Sequence, residues 1–256
     1  MKRAYLDLSR GQLHYRCAGS GTPVIMLHMS GSSSDEYEVV GNLLAQKYAV
    51  YALDLYGFGG SDVPAKYLSF TEHMQTVIEF MDAMMIGRAY FVGNLVGANI
   101  TVHLAAEHPE RVIKAALFHP CYNPDPDFYH NLRNSATFAE IPITDDGSHL
   151  KEIWARSAKY GESAAVSNDR AVCLHKARGF GEALHWALCE DEDFESFVKR
   201  VTVPAKIFAY DKMENKTTEI AASLMADCKY ELIHATPYFA RATPEICAEK
   251  LGAFFS

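Results

Sequence analysis

The sequence predicts an α/β protein: a mostly parallel central sheet flanked by helices, with one helical insert. Two observations predict it. Short apolar runs alternate with helical stretches along the first 120 or so residues, and again after residue 203. Between them, residues 123–196 hold helical periodicity, both tryptophans and no strand-like run. A parallel neighbour needs a crossover connection, so the alternation itself sets the direction of pairing. The expected division is a core of residues 1–122 and 197–256 beneath a helical cap, or lid, of residues 123–196.

Residues 24–28, Val-Ile-Met-Leu-His, follow Gly19, Gly21 and Pro23 and read as a buried strand. A polar loop over 29–34 leads into a helix over 35–46. Its Tyr37, Val40, Leu43 and Leu44 fall at helical spacing, and Asp35 and Glu36 suit a helix amino terminus. Residues 49–54 form the next strand, ended by the turn-rich stretch 56–61. A helix follows over 70–86, with Gly87 as its carboxyl-terminal cap. Residues 89–93 are a third strand, 96–108 its helix and 112–119 a fourth strand. After the insert, strands are expected over 203–209 and 229–235, then a helix over 244–255.

Composition narrows the function classes. With 24 Lys plus Arg against 32 Asp plus Glu and no basic run, the chain lacks the clustered cations that nucleic acid or an anionic membrane requires. The most apolar long stretch, 89–106, is interrupted by Gly93, Asn94, Gly97, Asn99 and His103, so no membrane span is expected. Six scattered cysteines without C-x-x-C spacing speak against a metal site or disulfide framework and for reduced thiols. The expectation is a cytoplasmic monomer or homodimer that takes a small-molecule ligand, with no cofactor and no metal.

Six segments carry a resemblance covering nearly the whole chain. They are Leu27-His28-Met29-Ser30-Gly31-Ser32-Ser33, the stretch 53–62 ending Gly59-Gly60-Ser61-Asp62, and Val92-Gly93-Asn94-Leu95-Val96-Gly97-Ala98. To these add His108-Pro109-Glu110-Arg111-Val112, Val203-Pro204 and Thr243-Pro244-Glu245. In this order they resemble the α/β-hydrolase superfamily. The loop 28–37, the elbow ending Gly97-Ala98 and the insert segment 146–150 with Trp154 look like a bacterial subgroup whose elbow serine is also replaced.

The resemblance implies a nucleophile at the centre of G-x-S-x-G, on a tight strand-to-helix turn beside backbone amides that hold an oxyanion. Gly93 and Gly97 are in place, but the centre is Leu95, which has no lone pair for attack. The acid position after the strand 207–209 falls on Met213, with Asp211 and Glu214 close by. The base position, seven residues before Pro244, falls on Pro237. All three triad positions are therefore read as substituted: Leu95, Met213 and Pro237.

The expected pocket comprises Met29, Ser30, Asn94, Leu95, Val96, His119, Cys121, Tyr122, Trp154 and Tyr238. His28 beside the oxyanion loop and His149 in the lid are the candidate proton carriers. Each has a plainer reading, His28 as a tie for the backbone and His149 as part of a helix start capped by Asp146 or Ser148. Ser33 and Ser34 read as helix caps, Asp54 as the stabiliser of the turn after its strand, and Cys121 as pocket lining rather than a His119-activated thiolate. His175, His185 and Trp186 read as lid packing. The expected function is non-covalent proton-transfer chemistry of the lyase, isomerase, cyclase or hydratase type on a small carbonyl-bearing or anionic metabolite; the alternatives are a catalytically inactive small-molecule binding protein and a serine hydrolase disabled at Leu95.

Overall fold

The computed structural model describes residues 1–125, 127–128, 141–177 and 193–256. Strands β1 (Lys2–Leu8), β2 (Gly11–Ala18), β3 (Thr22–Leu27), β4 (Tyr48–Leu53), β5 (Ala89–Asn94), β6 (Val112–Phe118), β7 (Ala205–Tyr210) and β8 (Cys228–Ile233) build one sheet. Its order is β1-β2-β4-β3-β5-β6-β7-β8. The six strands from β3 to β8 pair in parallel, while β1–β2 and β2–β4 are antiparallel.

The helices are α1 (Glu38–Leu44), α2 (Phe70–Ala83), α3 (Val96–Glu107), α4 (Ser148–Ser157), α5 (Ala164–Lys176), α6 (Phe194–Arg200), α7 (Lys216–Leu224), α8 (Phe239–Ala242) and α9 (Pro244–Phe255). Alternation along each strand sends successive side chains to opposite faces. Ile25 and Leu27 thus enter a core shared with α2, α3, α6 and α7. Val24 and Met26 enter a second core under α1, α8 and α9. No described helix is long and apolar enough to cross a membrane.

Three departures from the sequence reading have physical causes. The antiparallel pair β1–β2 was not anticipated, because β1 is an edge strand with no fully buried residue. The helix expected over 35–46 is a 3-10 turn, Ser34–Tyr37, followed by α1. Ser33 starts that turn by accepting from the Asp35 N–H, and the tighter winding carries Glu36 inward rather than to solvent. Within 123–196, α4 and α5 pack on each other, whereas Phe194 of α6 lies with Val198 in the core against α3. No strand occurs among the described residues of 123–196.

Candidate functional site

Parallel strands deliver their carboxyl ends, and the loops that follow them, to one edge of the sheet. Leu95 sits at the turn between β5 and α3 with φ 49° and ψ −113°. A non-glycine residue there costs about 1–2 kcal/mol, so the surrounding structure must hold the turn. It does so tightly. The Leu95 N–H donates to the Phe118 carbonyl at 2.8 Å, and the Leu95 carbonyl accepts from Ala98 and Asn99. A Cβ on Gly93 would lie 2.3 Å from the Gly97 oxygen, and one on Gly97 would lie 2.2 Å from the Leu27 oxygen. Glycine is obligatory at both places because backbone meets backbone there. The N–H of Val96, the first residue of α3, has no partner within the helix.

The described side chains around this turn are placed as follows. Leu95 and Met213, the latter in the loop after β7, both pack against the second core. Pro237, in the loop after β8, is buried, and its carbonyl accepts from Asn94 Nδ2 at 2.9 Å. Asn94 also donates to Glu36 Oε1 at 2.7 Å, and its Oδ1 accepts from the Tyr210 hydroxyl at 2.9 Å. Burial holds the Tyr210 phenol well above its ordinary pKa, so it remains a donor. Glu36 Oε2 accepts from the Met29 N–H at 3.3 Å. A buried Glu36–Asn94–Tyr210 network thus joins the three loops from beneath. Sequence reasoning missed it, having placed Glu36 on a helix start.

The Met29 N–H in the expected pocket is committed to Glu36. The two candidate proton carriers are also engaged. His28 is fully buried; its Nδ1–H donates to the Met29 carbonyl at 2.8 Å and its Nε2 accepts from the Leu55 N–H at 3.1 Å. Burial pushes its pKa down, against Asp54, the Met29 carbonyl and Glu36. Both nitrogens serve the backbone. His149 Nδ1 contacts Thr144 Oγ1 at 3.1 Å, and its ring lies 6.2 Å from that of His175. Both partners are in the lid, and Asp146 Oδ1 accepts from the Ser148 N–H beside them.

Other expected pocket residues are placed as follows. His119 Nδ1 accepts from the Tyr210 N–H at 3.1 Å, and its ring stacks on Tyr210 at 5.5 Å. Burial lowers its pKa to about 4, although a hydrogen bond to the Glu214 backbone opposes the shift. Cys121 is latched through its backbone to Asn99 of α3, with two 2.8 Å bonds, and burial pushes its thiol up to about 12. It is no activated thiolate. Tyr122 lies in the first core and donates to Glu195 at 2.5 Å. Trp154 is 41% exposed on α4. Tyr238 is buried, edge-on to Tyr160 at 5.7 Å, and its hydroxyl accepts from Arg170 of α5. Arg170 also donates to the carbonyls of Ser30, at 2.8 Å, and Gly31. His185 and Trp186 lie outside the described residues.

Asp211 and His234 form an ion pair on the loops after β7 and β8, but the His234 side chain is 80% exposed. Arg170 and Tyr160 were also missed by sequence reasoning. The available signal was the spacing Ser167-Arg170-Cys173, which puts one arginine on the otherwise small-residue face of α5.

A family model described as the alpha/beta hydrolase fold matches residues 22–148. A 2-hydroxy-6-oxo-6-phenylhexa-2,4-dienoate hydrolase of Comamonas testosteroni is 37% identical over 119 residues, covering 44% of this chain and 42% of that protein. Haloalkane dehalogenase 2 of Mycobacterium tuberculosis is 30% identical over 109 residues, covering 42% and 38%. The matched stretch thus spans about two-fifths of the length of these curated relatives. Among solved structures, a hydrolase from Pseudomonas aeruginosa PA01 superposes with a TM-score of 0.83 at 18% identity, covering 99% of this chain and 98% of that one. The enol-lactonase from Burkholderia xenovorans LB400 gives 0.81 at 20% identity, covering 98% and 99%. These likenesses establish the fold.

Proposed function

We propose that this chain, which has the α/β-hydrolase fold, binds a small carbonyl-bearing or anionic molecule at the elbow without covalent attack on it. In this reading Leu95, Met213 and Pro237 occupy the positions of nucleophile, acid and base. The observation that carries it is Leu95 itself. The turn keeps the strained conformation that presents an elbow side chain, yet the side chain presented is apolar and packed. The Val96 N–H remains as a donor toward a bound oxygen, and Leu95 gives the ligand an apolar floor.

The proton-transfer function expected from the sequence needs an imidazole nitrogen facing the ligand. His28 spends both of its nitrogens on the backbone, and the partners of His149 lie in the lid. The binding reading is therefore the better supported. A serine hydrolase disabled by one change is disfavoured by Met213 and Pro237, because a single substitution leaves the other two positions intact.

The test is chemical. The parent protein is expected to show no elbow-directed labelling by a fluorophosphonate and no turnover of activated esters. Leu95→Ser is expected to restore neither, since Pro237 supplies no base. Stoichiometric labelling within residues 93–97, or ester hydrolysis gained by Leu95→Ser alone, would overturn the assignment of the three positions.

A further inference from the structure

β1 forms one edge of the sheet, and its only neighbour among the described strands is β2. Its outer side offers unpaired backbone. Leu8 faces Gly11 across the two-residue turn at Ser9 and Arg10, so that pair is hydrogen-bonded within the hairpin. Bonding then alternates back along the strand. Lys2, Ala4, Leu6 and Leu8 spend their N–H and C=O groups on β2, while Arg3, Tyr5 and Asp7 turn theirs outward. Such a row is a template for a further strand.

The side chains decide which strand fits. Ala4, Leu6 and Leu8 are only half-buried against the first core. Arg3, Tyr5 and Asp7 occupy the opposite face and are exposed, Tyr5 by 56%. Arg3 lies across from Arg16 of β2, whose guanidinium is taken by Asp35 and Glu38, and it has no acidic partner among the described residues. Asp7 accepts from Gln12 Nε2 at 2.9 Å and meets no cation among those residues.

A second β1, laid antiparallel with Tyr5 opposite Tyr5, answers both needs. Each outward-turned residue then meets another: Arg3 the partner's Asp7, Tyr5 its own counterpart, and Asp7 the partner's Arg3. On the other face Ala4 meets Leu6 and Lys2 meets Leu8, which extends the apolar cover. Charges on an edge strand ordinarily block pairing. Here they are self-complementary, and this is the one register that sets Arg3 against Asp7. A two-fold axis through Tyr5 generates both ion pairs at once, as an isologous contact requires. At the other edge of the sheet, Glu231 of β8 is already held between Lys206 and Lys250.

We propose that the outer edge of β1 pairs with β1 of a second copy of this chain, in the register centred on Tyr5, to give a two-fold homodimer with one continuous sheet.

The experiment follows the full chain and its variants by sedimentation equilibrium and light scattering, from about 1 to 200 μM. The parent is expected to dimerise within that range, and amide exchange at Arg3, Tyr5 and Asp7 to slow as concentration rises. Arg3→Asp sets aspartates against each other at both ends of the pairing, and Asp7→Arg sets arginines. Each should weaken dimerisation by about 30-fold or more. Both positions are exposed, so the monomer should keep its circular dichroism spectrum. Both reversals in one chain should restore the dimer, and a mixture of the two single variants should form a heterodimer that neither forms alone. Lys229→Glu on β8 should change nothing. A parent that stays monomeric throughout the range overturns the inference. So does a dimer left intact by both single reversals, or one that neither the double reversal nor the mixture restores. Loss of the dimer on Lys229→Glu alone would place the interface at β8 and overturn it equally.

Discussion

Replacing Asp54 by alanine is expected to destabilise the protein by about 4 kcal/mol, a large share of a typical folding stability. Asp54 is buried, and it gathers three donors: the His14 ring N–H at 2.7 Å, the Ser34 N–H at 2.5 Å and the Gly60 N–H at 2.7 Å. Burial works against its ionised form, but these donors prevail and hold the carboxyl down to about 2. Removing it leaves three buried donors without an acceptor, each worth about 1–3 kcal/mol and not additive. It also frees the turn at Gly59 and the start of the loop that carries Glu36. Asp54→Asn keeps the size but turns an amide N–H toward donors, so it should recover little. Urea unfolding of the two variants measures this. A loss below about 1 kcal/mol in both would show that Asp54 does not bolt the loops together.

The second large effect is acid sensitivity. His73 on α2 is buried, and burial, reinforced by the charge of His28, lowers its pKa to about 3. His119 is lowered to about 4 by burial, and His28 is lowered in the same direction. In the unfolded chain each titrates near 6.5. Below that pH the unfolded state binds protons that the folded state refuses, so stability falls as pH falls. The contribution is whole above about 6.5 and is lost down to the folded pKa of each group. Asp54 acts over a lower window, between its unfolded value near 4 and about 2. Each histidine protonated in the unfolded chain and neutral in the folded one adds about 1.4 kcal/mol per pH unit, so His73 and His119 together give a slope of about 2–2.5 kcal/mol per unit between pH 6 and 4.5. Denaturation series across that range measure the slope. His73→Leu removes a buried ring whose Nδ1 has no partner, and it should flatten the slope by one proton. An unchanged slope would mean that His73 is not held neutral.

Much of the architecture was legible because each signal was local. The runs at 24–28, 49–54, 89–93 and 112–119 are buried on both faces and so read as continuous apolar segments. Gly93 and Gly97 announced a backbone contact that the structure places at the elbow. The edge strand β1 was not legible, since Lys2, Arg3, Tyr5 and Asp7 leave it without a buried residue. At the site, the elbow turn and its central Leu95 could be read from one short segment. The polar network beneath it could not, because Glu36, Asn94, Tyr210 and Pro237 are brought together from four separate stretches. No periodicity links them. Arg170 was hidden for a similar reason: its partners at Ser30, Gly31 and Tyr238 are long-range contacts between lid and core.

The central claim is that a ligand bound beside Leu95 is held and not transformed. Its most direct measurement is prolonged incubation of a tightly bound ligand with the protein, followed by release under denaturing conditions and mass spectrometry of both. The account expects the ligand back with unchanged mass and isomeric form, no solvent deuterium incorporated in heavy water, and an unmodified protein. Product accumulating beyond one equivalent, deuterium exchange dependent on the folded protein, or an adduct on residues 93–97 would contradict it.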